Sequence, residues 1–229
     1  MCGRFTLFVD PAGLLELFPW LELPGQWTPR YNVAPSQPVA AVPNDGQNRV
    51  DFFHWGLIPF WAKEPQIGSR MINARAETLA EKPSFKAAYR RRRCLVLADG
   101  FYEWRKEPGQ RGKTPFYIHL ESRDPFAFAG LWETWRAPGD AVIRSCTIIT
   151  TAPNELVAPI HNRMPVILDP AAYELWLDPV EREPNELQEW LRPYPAEQMA
   201  AYAVSAQVND PGNDSPDCVR PIVAPPCGG

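Results

Sequence analysis

Short apolar runs separated by Pro and Gly make up most of the hydrophobic pattern of this chain. Apolar runs that end at turn residues predict β-strands, and their regular spacing is typical of a barrel-like or sandwich sheet. The predicted strands cover residues 38–42, 50–57, 94–104, 115–120, 125–131 and 141–151.

Helical periodicity is weaker and local. It predicts short helices over residues 11–18, 84–90, 170–177 and 185–191, with Ser84 and Asp169 as the N-caps of the second and third. Together the elements predict an α+β protein whose predominantly antiparallel, barrel-like sheet is accompanied by a few short helices. We assign one domain to residues 1–220 and expect loose segments at the turn 107–112 and the C-terminal tail 221–229.

Composition supports a loop-rich, water-soluble fold. The chain has 27 prolines among 229 residues, more than double the usual share of about 5%. No apolar run reaches the roughly 18 residues that a membrane span needs, and the first residues lack the pattern of a secretion signal. We therefore expect a cytoplasmic protein without a membrane partner. The absence of heptads or a large apolar helical face leads us to expect a monomer.

Cysteine usage and charge limit the kinds of site. The five cysteines form no C-x-x-C pair and no compact group with the three histidines, which predicts neither a metal site nor a disulfide framework. The net charge of −4 argues against a nucleic-acid partner. However, residues 61–113 carry 13 Lys and Arg against 6 Asp and Glu, and the rest of the chain 10 against 21. This basic segment can form a local anion-binding surface.

Cys2 is the first candidate for chemistry. The initiator methionine is normally removed when a small residue follows, which would leave cysteine with a free α-amine. That amine titrates near 7.7–8.0 and the thiol near 8.5, so a fraction of each is nucleophilic at neutral pH. An aldehyde can condense with the amine to a Schiff base, which the adjacent thiol then closes to a five-membered thiazolidine. The alternative is a buried structural cysteine near the terminus.

A polar stretch at 72–78 follows an aromatic run at 55–61. It is either the start of a helix or a polar clamp. In the clamp, Asn73 offers both a donor and an acceptor, and Arg75 offers a guanidinium fork suited to phosphate. Trp55 and Trp61 would offer flat faces for bases.

A carboxylate sits among aromatic residues in the segment 98–104. Period-2 alternation places Phe101, Glu103 and Arg105 on one face of a strand, and Tyr102 and Trp104 on the other. Burial would raise the pKa of Glu103 and suit it for proton transfer, whereas an exposed Glu103 would only be solvated.

His161 lies beside Arg163 in a proline-flanked loop. Its imidazole is either a surface group or a proton shuttle, since histidine titrates near neutrality. His54 and His119 fall within predicted strands, and we assign both to packing or surface. The run 90–93 of four arginines follows a predicted helix, where it would either complement the helix dipole or contact phosphate.

These separated motifs, taken in order, resemble the SRAP family of SOS-response-associated peptidases, or abasic-site-processing proteins. The resemblance runs nearly end to end. It is carried by Met1-Cys2-Gly3-Arg4-Phe5; Arg30-Tyr31-Asn32-Val33-Ala34-Pro35; Trp55-Gly56 with Pro59 and Trp61; Ile72-Asn73-Ala74-Arg75 with Glu77-Thr78; Ala98-Asp99-Gly100 with Glu103-Trp104; Ile160-His161 with Arg163-Met164-Pro165; and Val204-Ser205 with Val208-Asn209.

The resemblance implies a single SRAP-type domain that binds single-stranded DNA containing abasic sites. We expect no cofactor, and the set of possible ligands leads us to expect no metal. By this resemblance Cys2 captures the aldehyde of the opened sugar as a thiazolidine, Asn73 orients the reactants, and Glu103 and His161 transfer protons. The peptidase label implies removal of Met1, with Glu103 and His161 taking part. The DNA contacts implied are phosphate contacts by Arg4, Arg75, Thr150 and Arg163, base contacts by Pro35, Trp61 and Trp104, and a further contact by Asn32.

Two other functions remain alternatives at this stage. An N-terminal-nucleophile amidohydrolase or class II glutamine amidotransferase also begins Met-Cys-Gly, but it needs a four-layer αββα core and glutamine-binding motifs, which we do not find. A non-catalytic single-strand DNA binder would use the tryptophans and arginines for affinity and leave Cys2 incidental. Covalent attachment to DNA distinguishes the last alternative from the SRAP interpretation.

Overall fold

Two β-sheets and a few short helices form the fold. The structure, a computed structural model, describes residues 2–107, 109, 112–137, 139 and 141–222. Within these residues the strands are β1 Phe5–Leu7, β2 Arg30–Val33, β3 Pro38–Pro43, β4 Asp51–Trp55, β5 Asn73–Arg75, β6 Arg93–Ala98, β7 Gly100–Lys106, β8 Lys113–Leu120, β9 Phe126–Arg136, β10 Val142–Thr151, β11 Met164–Pro165 and β12 Met199–Ala203. The α-helices are α1 Pro11–Leu17, α2 Lys86–Arg91, α3 Tyr173–Leu177 and α4 Pro184–Gln188, and short 3-10 helices cover Pro65–Arg70, Ala76–Thr78, Pro170–Ala172, Ala196–Gln198, Ala206–Asn209 and Pro216–Val219.

The larger sheet closes on itself. Its strands follow the order β10-β4-β3-β6-β9, and β9 pairs again with β10, which completes a five-stranded ring. The pairings of β10 with β4 and with the short β5 are parallel, whereas the other pairings are antiparallel. The predicted α+β class with a predominantly antiparallel, barrel-like sheet is therefore confirmed.

The second sheet is antiparallel throughout, in the order β12-β8-β7-β1-β2. It packs against the barrel through aromatic edge contacts. The Phe5 ring on β1 lies 5.0 Å from that of Trp55 and 5.8 Å from that of Phe128, between ring centroids. The first strand of the chain is thereby held against the barrel, which determines where Cys2 lies.

The strand predicted at 94–104 is wrong in one respect, because the structure divides it into β6 of the barrel and β7 of the second sheet. The break is Asp99, whose buried carboxylate accepts hydrogen bonds from the Thr6 hydroxyl and from the backbone N–H groups of Phe8 and Val9. At the next position, Gly100, a Cβ would lie 2.2 Å from the Tyr117 hydroxyl, so a side chain does not fit. The Asp99 carboxylate therefore clamps β1 where the chain changes sheets.

The helix predictions are confirmed in place but not at every boundary. Asp169 caps the helical segment that starts at Pro170, as predicted. Ser84 is not the N-cap of the second helix, because that helix begins after Phe85, which makes no side-chain cap. The last helix begins one residue earlier than predicted, at Pro184, because a capping box formed by Glu183 and Glu186 closes its first turn.

The arginine run 90–93 is engaged within the protein. Arg93 is fully buried, and its guanidinium donates to the carbonyl oxygens of Trp176 and Asp178. The other three form ion pairs: Arg90 with Glu181 and Glu183, Arg91 with Glu181, and Arg92 with Glu133. These contacts join α2 to the segment after α3 and to β9, and they account for all four side chains without a phosphate.

The remaining predictions concern histidines and loose segments. His119 is buried on β8, as the packing prediction requires, and His54 is half-buried on β4. No helix in the described ranges is long and apolar enough to cross a membrane. In the predicted tail, the Ile222 N–H donates a hydrogen bond to the Ala203 carbonyl. Residues 223–229 of the tail and residues 108, 110 and 111 of the predicted loose turn lie outside the described residues.

Candidate active site

Four segments distant in sequence bring the predicted catalytic residues together. Cys2 precedes β1, Glu103 lies on β7, which pairs with β1, and Asn73 begins β5. β5 pairs with the last part of β10, and the loop after β10 carries His161. That loop is folded by the Asn154 side chain, which accepts from the Val157 N–H and donates to the Tyr194 carbonyl. The two sheets thus meet at this site.

Asn73 contacts Cys2 directly. Its side-chain Nδ2 donates to the Cys2 carbonyl oxygen at 2.7 Å, which fixes the backbone of the proposed nucleophile. Its other polar atom, Oδ1, is buried and has no hydrogen-bond partner among the described residues. A buried acceptor without a partner is costly in free energy, so Oδ1 is suited to receive a donor from a bound ligand.

The Cys2 thiol is fully buried and lies 3.9 Å from the Arg4 carbonyl oxygen, to which it donates. Burial is the main cause that raises the pKa of this thiol well above its ordinary value, and the negative charge of Glu103 raises it further. The sulfur therefore carries its proton at neutral pH. Attack by this sulfur requires that the proton move to another group in the same step or just before it.

Glu103 is only 2% exposed. Of the two alternatives that the sequence left open, a buried or a solvated carboxylate, the structure has the buried one. Burial raises the pKa of its carboxyl group to about 7. A carboxyl group with this pKa is present both as acid and as base at neutral pH, which is the condition for efficient proton transfer. The prediction that alternate residues of this strand lie on opposite faces also holds. Phe101 packs in the same hydrophobic cluster as Cys2, whereas Tyr102 and Trp104 pack in a different one.

His161 faces the carboxyl group of Glu103. Its Nε2 lies 4.0 Å from Glu103 Oε2. The opposite ring nitrogen, Nδ1, is anchored by the backbone of Arg163, 3.1 Å from the amide nitrogen and 3.2 Å from the carbonyl oxygen. Burial lowers the pKa of the imidazole, which favours the neutral ring. Glu103 and His161 thus face each other, and Glu103 lies close enough to Cys2 to raise the pKa of its thiol.

Three of the predicted DNA contacts lie around the end of β10. Thr150 is opposite Arg75 in the β10–β5 ladder. Arg163 donates to the Thr150 carbonyl at 2.6 Å, and its backbone holds His161. Arg75 is exposed, whereas the Thr150 side chain is buried and its hydroxyl donates to the Ala74 carbonyl at 3.4 Å. Arg163 is thereby placed next to His161, and Arg75 lies across the ladder from Thr150.

Three further predicted contacts hold a segment of the chain itself. The Arg4 guanidinium donates to the Asn32 side-chain oxygen at 2.7 Å and to the Val208 carbonyl at 2.6 Å, and it lies 5.8 Å from the centre of the Trp104 ring. Asn32 is fully buried, and its Nδ2 donates to three carbonyls of the segment 208–213. The Trp104 indole donates to the Asn209 side chain at 2.7 Å. In this structure Asn32 therefore forms hydrogen bonds with Arg4 and with the segment 208–213.

Trp61 stands in a loop whose base adjoins the site. The Leu57 N–H donates to the Met71 carbonyl, and the Trp55 indole donates to the carbonyl of Ile72, the residue before Asn73. Half of the Trp61 surface is exposed, so its ring is open to a partner. Pro35, the last of the predicted contacts, is partly buried in the turn between β2 and β3.

The sequence also matches a known family. A family model described as SOS response associated peptidase (SRAP) matches residues 1–211. The chain belongs to the SRAP family.

SRAP relatives match this chain along nearly its whole length. The abasic site processing protein YoqW of Bacillus subtilis is 50% identical over 223 residues, which are 96% of this chain and 99% of YoqW. The abasic site processing protein HMCES of Gallus gallus is 34% identical over 252 residues, 96% of this chain and 74% of HMCES. A crystal structure of a protein from Bacteroides thetaiotaomicron superposes with a TM-score of 0.80 at 27% identity, covering 97% of this chain and 100% of the other.

Membership of the SRAP family, together with a closed barrel and an adjoining sheet, excludes the glutamine amidotransferase alternative, which requires a four-layer αββα core. In the part of the chain that the structure describes, no group of three or more His, Cys, Asp or Glu side chains could hold a metal ion.

Two residues of the SRAP motifs have structural roles that sequence reasoning did not assign. Asp99 clamps β1, and Glu77 forms an ion pair with Arg163 at 2.6 Å. Both residues belong to the sequence motifs that this chain shares with the SRAP family. Their position in these motifs, beside predicted site residues, could have indicated that they have a role.

Proposed function

We propose that this SRAP protein processes abasic sites in single-stranded DNA by forming a covalent thiazolidine between Cys2 and the aldehyde of the opened sugar. The observation that carries the proposal is the convergence of Asn73, Glu103 and His161 on Cys2, with the Asn73 amide at 2.7 Å from the Cys2 carbonyl and Glu103 at a pKa of about 7. The names of the relatives that match 96% of the chain support the coarser function, the processing of abasic sites.

The first step of the proposed function is the removal of Met1. Hydrolysis adds one water across the Met1–Cys2 peptide bond and releases the α-amine of Cys2. Proton transfer to the leaving amine and from the water falls to Glu103 and His161, whose facing atoms are 4.0 Å apart. This autoprocessing is the sense in which the peptidase name of the family would apply here.

Capture of the aldehyde then proceeds by two bond-forming steps. The α-amine attacks the aldehyde carbon, and the resulting carbinolamine loses water to give an imine, with Glu103 donating the proton to the leaving hydroxyl group. The Cys2 sulfur next adds to the imine carbon while the thiol proton passes to the imine nitrogen. The second addition is intramolecular, which favours ring closure. One water leaves overall, and the lesion is shielded as a covalent adduct.

The other site residues would position the reactants. Asn73 holds the Cys2 carbonyl and offers its unpaired Oδ1 to a hydroxyl group of the opened sugar. Arg75 and Arg163 would hold phosphates near the proton-transfer pair, whereas the buried Thr150 would act through its carbonyl oxygen, which accepts from the Arg163 guanidinium. Arg4 would hold a phosphate from the side of Trp104, with Asn32 fixing its guanidinium. Trp61, Pro35 and Trp104 would support the bases on either side of the lesion.

A mass measurement on the purified protein tests this function. The protein is mixed with a single-stranded oligonucleotide that contains one abasic site, and intact mass spectrometry follows. We expect a protein without Met1 that gains the mass of the oligonucleotide minus one water. A Met1-free protein that binds this DNA without a covalent adduct would favour the non-catalytic binder instead.

Replacement of His161 should affect reversal of the link. We expect His161→Ala to release DNA at least about ten-fold more slowly, because opening of the thiazolidine needs proton transfer that the variant lacks. Release is followed as exchange of a labelled adduct against excess unlabelled abasic DNA. His54→Ala removes a histidine on β4 and serves as the matched control. Equal release rates for wild type and His161→Ala would assign His161 a structural role only.

A further inference from the structure

Arg163 already binds an anionic group in this structure. Its two terminal nitrogens donate to the two carboxylate oxygens of Glu77, at 2.6 and 3.0 Å. This fork-to-fork geometry is the one in which a guanidinium group also binds a phosphate. Glu77 therefore occupies the position that a DNA phosphate would take on Arg163.

Arg163 has a second anchor besides Glu77. Its Nη2 also donates to the Thr150 carbonyl at 2.6 Å, and its side chain is only 14% exposed. Glu77, in contrast, is 51% exposed and lies in the 3-10 helix Ala76–Thr78 at the surface. Glu77 can thus turn to solvent while Arg163 stays in place.

The charges nearby also favour an exchange of anions. Arg163 and, more weakly, Arg75 lower the pKa of Glu77, so its carboxyl group is ionised at neutral pH. Arg163 pairs with this carboxylate directly, and Arg75 acts on it only through its charge. Removal of the carboxylate charge would leave Arg163 without its ion-pair partner and would increase the positive charge around it.

We propose that Glu77 is a specificity-determining residue that competes with DNA phosphate for Arg163. This inference rests on the proposed function, since it requires DNA at this site. Undamaged single-stranded DNA must displace Glu77 with phosphate contacts alone. DNA attached through Cys2 holds its neighbouring phosphate at a high local concentration and displaces Glu77 readily. The carboxylate therefore weakens binding to undamaged DNA more than retention of captured abasic DNA.

The test compares Glu77→Gln with wild type in binding to an undamaged single-stranded oligonucleotide, measured by fluorescence anisotropy over a range of salt concentrations. Glutamine keeps the size of the side chain and removes its charge. We expect about 2- to 5-fold tighter binding, the range for the loss of one exposed ion pair as competitor. The slope of log affinity against log salt should steepen by about 0.7, because one more phosphate is neutralised.

Two further variants isolate the effect. Glu181→Gln makes the same charge change at the Arg90–Arg91 ion pairs, outside this site, and controls for net charge. In the background Arg163→Gln, the change Glu77→Gln should lose most of its effect, because the contested guanidinium is gone. Thermal unfolding midpoints confirm that each variant is folded.

The outcomes separate this inference from the function on which it rests. If wild type forms the Cys2 adduct but Glu77→Gln binds undamaged DNA no more tightly than Glu181→Gln does, the competition is absent and the inference fails alone. Weaker binding by Glu77→Gln would show that Glu77 positions Arg163, which also overturns it. If neither wild type nor Glu77→Gln binds or captures DNA, the proposed function and this inference fail together.

Discussion

Cys2→Ala is expected to abolish the SDS-resistant adduct with abasic single-stranded DNA. The alanine variant retains an α-amine that can form an imine, but it has no sulfur to close the ring. The imine hydrolyses during denaturation unless borohydride reduces it. A denaturing gel should therefore show no adduct without borohydride and a recovered band with it.

The control for this experiment is another buried thiol. Cys94, on β6, is as buried as Cys2 and has no place in the site, so Cys94→Ala should form the adduct as wild type does. Intact mass of Cys2→Ala establishes that Met1 has been removed and that the amine is available. An SDS-resistant adduct of undiminished yield in a Met1-free Cys2→Ala protein would exclude the thiazolidine.

The second large effect is expected for Glu103→Gln, which should slow adduct formation by about 10²- to 10⁴-fold, the range for loss of a general acid–base group. Glutamine has the same shape, and its neutral amide avoids the cost of a buried charge. The fold should therefore persist, as checked by the thermal midpoint. The rate is measured under single-turnover conditions with excess protein.

The pH dependence of the same rate gives an independent reading. The α-amine must be neutral to attack the aldehyde. The rate should therefore increase with pH until the pH reaches the pKa of the amine, about 7.7–8.0. Glu103 must be protonated to donate to the leaving hydroxyl, so its contribution falls as pH rises through its pKa of about 7. Wild type should show a maximum between these limbs, and Glu103→Gln should keep only the rising limb.

Glu133 provides the matched control for this carboxyl group. It is also buried, burial also raises its pKa, and it forms an ion pair with Arg92 away from Cys2. Glu133→Gln should leave both the rate and the pH profile unchanged. A Glu103→Gln protein with the wild-type rate and falling limb would remove Glu103 from the chemistry.

Local sequence signals predicted much of the fold. The sequence predicts the strands at 38–42 and 141–151 because apolar runs bounded by prolines are local features, and these runs form β3 and β10. The cap Asp169 was recognised because a cap acts over only a few residues. Strands such as β1, β5 and β11 were not predicted, since runs of two or three residues become strands only through their partners.

The candidate site, like the fold, was predicted from the sequence only in part. The sequence predicts the chemistry of the site from its residue types, from the position of Cys2 and from the SRAP motifs. This is possible because the ability to act as a nucleophile, to form amide hydrogen bonds or to carry a proton belongs to individual side chains. The sequence left open whether Glu103 is buried, because burial depends on what packs against β7 from other parts of the chain. The structure buries Glu103, and burial raises its pKa to about 7.

By itself, then, the sequence determined the class of fold, the family motifs and the set of groups capable of aldehyde chemistry. Only the tertiary structure decided that Asp99 ends one strand and clamps another, that Asn32 serves Arg4 from a buried position, and that Glu77 occupies the guanidinium of Arg163. The physical reason is that hydrogen bonds, desolvation and ion pairing act between atoms close in space. These contacts join residues that are 28 to 90 positions apart in the chain, beyond the reach of any local pattern.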